Sequence, residues 1–392
     1  MSPISASKRA VLDRPFLLAW PAIVIFVSYL WLSPQPHYQT TATTTSISDT
    51  ISSPTAVEIM SFDTMRAIVM HEIGGPGVLK LQTVPKPTPT AGQVRIRVKS
   101  FGLNRSEVFT RQGHSPGVTF PRVLGIEAAG LIDEADPDSG FKAGEVVVTA
   151  MGGMGRVFDG GYAEYTVVPA TQVRRVNATD AFGPDRPVAW DILGALPELM
   201  QTAWGSLFTS LELVPSDRLL IRGGTTSVGL AAAALARSHG ASVTATTRNP
   251  ARVEILRRLG IDDVIIDDGS ILAEVQKRAP FSKILELVGV TTLEDSLRCV
   301  APGGTVCMTG IAGNKWTFDQ FTPMASIPTS VKLTTYASTT EAVLKTPIED
   351  IARDLATRKI HLPIKTFPLE QIVEAHRLME EEGALAKIVM MI

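Results

Sequence analysis

The residues best placed to do chemistry lie where Leu219–Arg237 reads as strand, glycine turn and helix in immediate succession. Between the apolar run that ends at Arg222 and the alanine-rich stretch Val228–His239 stand Gly223, Gly224, Thr225, Thr226, Ser227, Val228 and Gly229. Small residues at such a junction let backbone N–H groups of a helix N-terminus close on a pyrophosphate. The fit to G-x-G-x-x-G is partial: Gly224 and Gly229 match the outer glycines, and Thr226 takes the middle place. A lone glycine turn is also compatible with an ordinary strand-to-helix connection. The elements downstream weigh for the first reading.

Ala241–Thr247 reads as a second, β-branched strand, and Asn249–Leu259 as a helix opened by Pro250. A strand over Asp263–Ile266, a helix over Ile271–Arg278, a strand over Ile284–Val288, a helix over Leu293–Val300 and a strand over Thr305–Met308 follow, with Pro302-Gly303-Gly304 as a turn. Short apolar strands alternating with helices predict an α/β domain, a doubly wound parallel sheet of Rossmann type. An NAD site usually ends its second strand on a carboxylate that holds the ribose 2′-hydroxyl. Here that strand ends Thr246-Thr247-Arg248, and no carboxylate appears before Asp262. Arg248 and Arg252 are either solvated surface residues or the holders of a 2′-phosphate through charge-assisted hydrogen bonds. The second reading makes NADPH the expected cofactor.

From Met65 to Ile392 the chain resembles the medium-chain dehydrogenase/reductase superfamily, in its zinc-free quinone oxidoreductase and enoyl reductase branch. The blocks that carry the resemblance are Met65–Leu79, Gly102–Gly113, Pro121–Gly130, Gly160–Tyr165 and Ala386–Val389. It implies a GroES-like, mainly-β barrel domain with the Rossmann-type domain inserted into it. The expected division is an N-terminal extension over 1–64, a first part of the catalytic domain over 65–190, an NADPH-binding domain over 191–325, and a return to the catalytic domain over 326–392. The residues agree independently: Val94–Val98 alternates apolar and charged side chains, as a half-buried strand does, and Lys387–Ile392 is strand-like.

The resemblance also implies roles. Zinc-dependent relatives carry a cysteine, a Gly-His-Glu turn and a lobe of four cysteines. Here the turn is Gly125-Ile126-Glu127, and the chain's two cysteines, Cys299 and Cys307, have no zinc-site spacing. No metal is therefore expected. Without a Lewis acid to ionise an alcohol, hydride delivery to a quinone or to the β-carbon of an enone is favoured, since hydrogen bonds can stabilise the spread charge. In the active-site segment Asn104 is expected to polarise the acceptor carbonyl or hold the nicotinamide, with a turn residue whose side chain is already satisfied as the plainer role. Glu107 either orders the loop and water or pairs with Arg105 or Arg111. Phe109 stands where the family has tyrosine and cannot donate a proton. Thr202 matches a threonine facing the nicotinamide ribose, with a helix N-cap as the plainer role. Gly310 and Ile311 match the backbone that approaches the nicotinamide amide. Lys387 either reaches a phosphate or is a surface lysine. His114 is read as a loop histidine and Glu127 as a turn stabiliser.

At 392 residues the chain has room for two cores. Its net charge of −2 and lack of basic runs argue against a nucleic-acid partner. The expected partners are a small-molecule quinone or enone and a second copy in a homodimer. Residues 15–32 carry no charge and, at about 1.5 Å per residue, could span a thin bilayer. Lys8, Arg9 and Arg14 precede them, which by the positive-inside rule would carry the body across. Asn104-Arg-Ser106 and Asn177-Ala-Thr179 would then be glycosylation acceptors, so a cytoplasmic catalytic body is expected, with 15–32 as a tether or as residues the working enzyme lacks. A catalytically weak nucleotide-binding or membrane-tethered scaffold protein is the alternative, motivated by Phe109, Thr226 and the apolar segment.

Overall fold

The computed structural model describes residues 63–382 and 384–392. The apolar segment 15–32 therefore lies outside the described residues. Among those described, no helix is long and apolar enough to cross a membrane.

The parallel sheet has the strand order Asp263–Ile266, Ser242–Thr247, Arg218–Arg222, Phe281–Glu286, Val300–Met308 and Lys332–Thr335. That is the doubly wound order in which the chain reverses direction beside the first strand, leaving a crevice at the carboxyl ends. Leu219, Leu220 and Ile221 are all fully buried because helices cover both faces. The helix Ser227–Ser238 packs Leu230, Ala231, Ala232 and Ala236 against the sheet, and its alanines allow the close approach.

Several elements depart from expectation. The helix read over 249–259 begins as a 3-10 turn, Pro250–Arg252, and becomes α-helical over Val253–Arg258. The helix read over 271–278 is one short turn, Leu272–Val275. Pro302-Gly303-Gly304 lies inside the long strand Val300–Met308, where the register with Phe281–Glu286 shifts and Gly303 takes φ 84°. A sixth strand, Lys332–Thr335, pairs beyond residue 325, so the parallel sheet draws on the stretch read as the start of the return.

The second body is built on a seven-stranded sheet. Its main path runs Ile364–Pro368, Lys387–Met391, Gln93–Gly102, Glu127–Ala135, Val146–Ala150 and Val173–Arg175, and Tyr165–Pro169 pairs with Gln93–Gly102. Val94, Ile96 and Val98 face inward as their alternation predicts. A smaller sheet joins Leu79–Pro85, Thr64–Met70 and Arg122–Val123. The C-terminal strand pairs antiparallel with Gln93–Gly102, Val389 facing Gly102. The tail thus returns to this second body, and it carries Lys387 to the start of the Asn104 segment. The architecture is a GroES-like mainly-β domain joined to a Rossmann-type sheet.

Candidate active site

A cleft of about 880 Å³ opens along the carboxyl ends of the parallel strands. Thr225, Thr226, Ser227 and Val228 line it, as do Thr247, Arg248, Gly310 and Ile311 from the neighbouring strand ends. Asn104, Phe109 and Thr202 face it from the opposite side. Gly223, Gly224, Gly229, Glu107 and Lys387 lie outside its lining.

The glycine turn works through what is absent from it. Gly223 holds φ 86°, which a side chain would strain. A Cβ on Gly229 would stand 2.7 Å from the Gly223 carbonyl oxygen, so only glycine lets the helix sit this close to the strand end. Thr226, in place of the middle glycine, is the N-cap: its Oγ1 accepts from Gly229 N–H at 3.0 Å and donates to Gly223 O at 2.8 Å. The first-turn N–H groups of Ser227 and Val228 then have no intrahelical acceptor and border the cleft. Ser227 Oγ ties the turn to the C-terminal segment by donating to Ala386 O at 3.1 Å.

At the lip of the cleft Thr247 is buried and Arg248 exposed. Arg105 and Arg252 also line it. Burial holds the Arg105 guanidinium below its ordinary range, with Glu380 opposing that shift and the positive charge of Arg248 adding to it. Arg105 Nη2 donates to Asn314 Oδ1 at 2.7 Å. Further in, a Cβ on Gly310 would stand 2.3 Å from Leu287 O, so the backbone there has no room for a side chain. The loop carrying Leu287 is held by Glu286, whose Oε1 accepts from Val288 N–H at 2.7 Å and Gly289 N–H at 3.0 Å. Behind it, fully buried Arg222 spans Asp267 at 2.9 Å and Asp295 at 2.6 Å.

The segment expected to hold acceptor and nicotinamide is mostly occupied with itself. Lys387 Nζ lies 2.6 Å from Asn104 Oδ1, 2.9 Å from Glu127 Oε1 and 3.2 Å from Leu103 O, and the residue is fully buried. It is neither a phosphate ligand nor a surface lysine, because its strand enters the barrel beside Gly102. A Cβ on Gly102 would fall 2.3 Å from Lys387 Cε. Asn104 Nδ2 donates to Glu127 Oε1 at 2.8 Å, so both ends of the amide are engaged inside the protein although the residue touches the cleft wall. Glu107 is 1% exposed and accepts from Asn104 N–H at 3.1 Å and Ile126 N–H at 3.0 Å. These bonds tie the start of the segment to Ile126, and Glu107 is ion-paired with neither Arg105 nor Arg111. Burial pushes its carboxyl up to about 7, the Ile126 N–H opposing. Glu127 does more than stabilise a turn: its second oxygen accepts from Glu198 N–H at 2.8 Å. Among the described residues no three His, Cys, Asp or Glu side chains converge for a metal ion.

Phe109 packs edge-on against Trp316, ring centroids 5.3 Å apart, and against exposed His114 at 6.3 Å. Thr202 lies within a helix, Pro197–Trp204, and does not cap it. Its Oγ1 donates to Glu198 Oε1 at 3.0 Å and meets Ser338 Oγ at 2.8 Å. Glu198, Arg156 and Trp316 line the cleft without having been singled out in the sequence. For Glu198 a signal existed, since it stands one helical turn before Thr202 and therefore on the same face.

Residues 90–178 match the alcohol dehydrogenase GroES-like domain family, and residues 227–351 match the zinc-binding dehydrogenase family. Quinone oxidoreductase of Mus musculus is 30% identical over 258 residues, 64% of this chain and 74% of its own length. The chain belongs to the medium-chain dehydrogenase/reductase superfamily, in its quinone oxidoreductase-like branch. Polyketide synthase GfsB of Streptomyces halstedii is 28% identical over 326 residues, 81% of this chain, and the chain spans 6% of that much longer protein. The quinone oxidoreductase from Coxiella burnetii shares the fold, with a TM-score of 0.70 at 22% identity, covering 84% of this chain and 100% of its own. As a medium-chain dehydrogenase/reductase the chain is an oxidoreductase, and members of the superfamily bind nicotinamide cofactors.

Proposed function

We propose that the protein is a zinc-independent, NADPH-dependent reductase of quinones or of α,β-unsaturated carbonyl compounds. The observation that carries the reading is the buried ammonium of Lys387 seated on Asn104 and Glu127 beside Ile126. Where zinc-dependent relatives present a Gly-His-Glu turn, this chain has an isoleucine and a carboxylate already neutralised by a cation. That donor set does not fit a zinc ion.

The residues present do fit a phosphorylated dinucleotide. The first-turn N–H groups of Ser227 and Val228 would hold its pyrophosphate. Arg248 would hold the 2′-phosphate, since the second strand offers Thr247 there in place of a carboxylate. Arg105, which also lines the cleft and whose charge interacts with that of Arg248, adds positive charge there. Thr202 and the Gly310–Ile311 backbone would bound the nicotinamide end. When bound, the reduced ring supplies hydride to the acceptor. Phe109 and Trp316 offer an apolar, edge-to-face wall against which a flat conjugated acceptor can lie. The names of the quinone oxidoreductases support quinones as acceptors, and enones share with quinones a conjugated carbonyl whose developing charge hydrogen bonds can stabilise.

The test is oxidation of NADPH and of NADH by purified protein against a panel of quinones and enones, with bound metal measured on the same sample. NADPH-dependent turnover of one acceptor class without stoichiometric zinc is expected. Saturable cofactor binding with no acceptor reduced would overturn the reading.

A further inference from the structure

Glu198 is a carboxylic acid in the wall of the cleft to which the proposed chemistry assigns nothing. It sits in the first turn of Pro197–Trp204, partly exposed, and lines the cavity beside Leu103, Asn104 and Thr202. Its Oε1 takes one hydrogen bond, from Thr202 Oγ1. Among the described residues no donor reaches its Oε2. Its backbone is anchored from behind through its N–H on Glu127 Oε2. The hydroxyl chain continues outward, since Thr202 Oγ1 lies 2.8 Å from Ser338 Oγ, and Ser338 is flanked by exposed Ala337 and Thr339. Thr202 cannot donate to both neighbours at once. When it donates to Glu198 it accepts from Ser338, which is the polarity that passes a proton inward.

Reduction of an enone or quinone needs a proton as well as a hydride, and Phe109 cannot supply one. We propose that Glu198 is the acid that delivers this proton into the cleft, refilled from solvent through Thr202 and Ser338. This rests on the reductase reading above. As negative charge develops on the acceptor, the Glu198 O–H bond breaks and its proton bonds to the acceptor carbon or oxygen. The carboxylate left on Glu198 then takes the Thr202 proton, Thr202 takes that of Ser338, and Ser338 is refilled by solvent. The sum is one proton consumed per acceptor reduced. The surroundings favour the acid form: burial raises the carboxyl above its ordinary range and nearby Glu127 adds to this, while the Lys387 ammonium and the Thr202 hydrogen bond oppose. Tyr336, whose hydroxyl burial and the charge of Glu198 push up to about 12, is a neutral neighbour whose O–H donates to Gln201 Oε1 at 2.9 Å.

The full chain tests this in three ways. An infrared difference titration of wild type against Glu198→Gln should show a protonated carboxyl persisting above the ordinary carboxylate range and missing from the variant. That readout needs no turnover, and a Glu198 that ionises in the ordinary range overturns the assignment. With an acceptor that the wild type reduces, Glu198→Gln should lower kcat by about 100-fold or more. It should leave NADPH affinity within about threefold, since the glutamine oxygen still accepts from Thr202, and it should abolish the alkaline fall of the pH profile. Ser338→Ala, which alters no cleft-lining side chain, should raise the solvent deuterium isotope effect on kcat. Unchanged kcat and pH profile in Glu198→Gln would overturn the assignment alone. Failure of the wild type to reduce any acceptor would overturn the reductase reading, and the assignment with it.

Discussion

Lys387 Nζ and Glu127 Oε1 lie 2.9 Å apart with both side chains essentially excluded from solvent. The pair joins the last strand to the turn at Gly125 and, through Asn104, to the active-site segment. Removing one partner strands the other charge in a low-dielectric interior, which is far costlier than losing a surface ion pair. Lys387→Met should therefore lower the unfolding free energy by about 3–5 kcal/mol, read from urea denaturation midpoints. The double variant Lys387→Met/Glu127→Gln should recover part of that loss. A single variant as stable as wild type would show the pair to be energetically idle.

Arg248 should discriminate between cofactors. A guanidinium on a 2′-phosphate contributes about 1.5–3 kcal/mol, so Arg248→Ala should weaken NADPH binding by roughly 10- to 100-fold. NADH, which lacks the phosphate, should change little. Dissociation constants from quenching of protein fluorescence measure both, and equal losses would place the 2′-phosphate elsewhere.

Gly229 should tolerate no side chain. Its added Cβ would press on backbone, the Gly223 carbonyl oxygen at 2.7 Å and Gly224 Cα at 2.9 Å. Gly229→Ala should cost about 1–3 kcal/mol by overpacking and weaken NADPH and NADH alike, because both share the pyrophosphate. Thermal unfolding with and without cofactor checks each part. A variant that selects between the two cofactors would contradict this placement.

Glu107 should make stability fall as pH rises through the neutral range. Its folded-state carboxyl is held at about 7 against an ordinary 4.5, burial being the main cause. The folded state therefore prefers the protonated acid. That preference contributes in full below about pH 4.5 and is gone once the pH has climbed past about 7. At 1.36 kcal/mol per pH unit it is worth up to ~3 kcal/mol. Glu107→Gln keeps an oxygen for the Ile126 N–H and should flatten this decline when unfolding midpoints are followed from pH 4.5 to 8. A parallel curve for wild type and variant would show that Glu107 titrates normally.

The nucleotide sheet was legible because its evidence is local. Asp263–Ile266 falls where the apolar run predicts, and the turn at Gly223 follows from small residues between a strand and an alanine-rich helix. Lys332–Thr335 escaped because an edge strand reading Lys-Leu-Thr-Thr has no apolar run to announce it. The site was legible by position but not by partner. Asn104, Phe109 and Thr202 do face the cleft. That Asn104 is consumed by Lys387 and Glu127 depends on a pairing between residues 102 and 389, which no short-range pattern encodes. Glu198 was overlooked because a glutamate in a first helical turn is ordinarily a dipole-favoured surface residue. Its one local signal is its place a helical turn before Thr202, on the same face of Pro197–Trp204.

The strand order of the barrel also bears on how a newly made chain matures. The cation that holds Asn104 and Glu127 in place arrives with residue 387, 283 positions after the first and 260 after the second. Until that stretch has left the ribosome, the glutamate is an unanswered charge and the pocket floor lacks its clamp. Cofactor capture should accordingly lag behind formation of the nucleotide sheet.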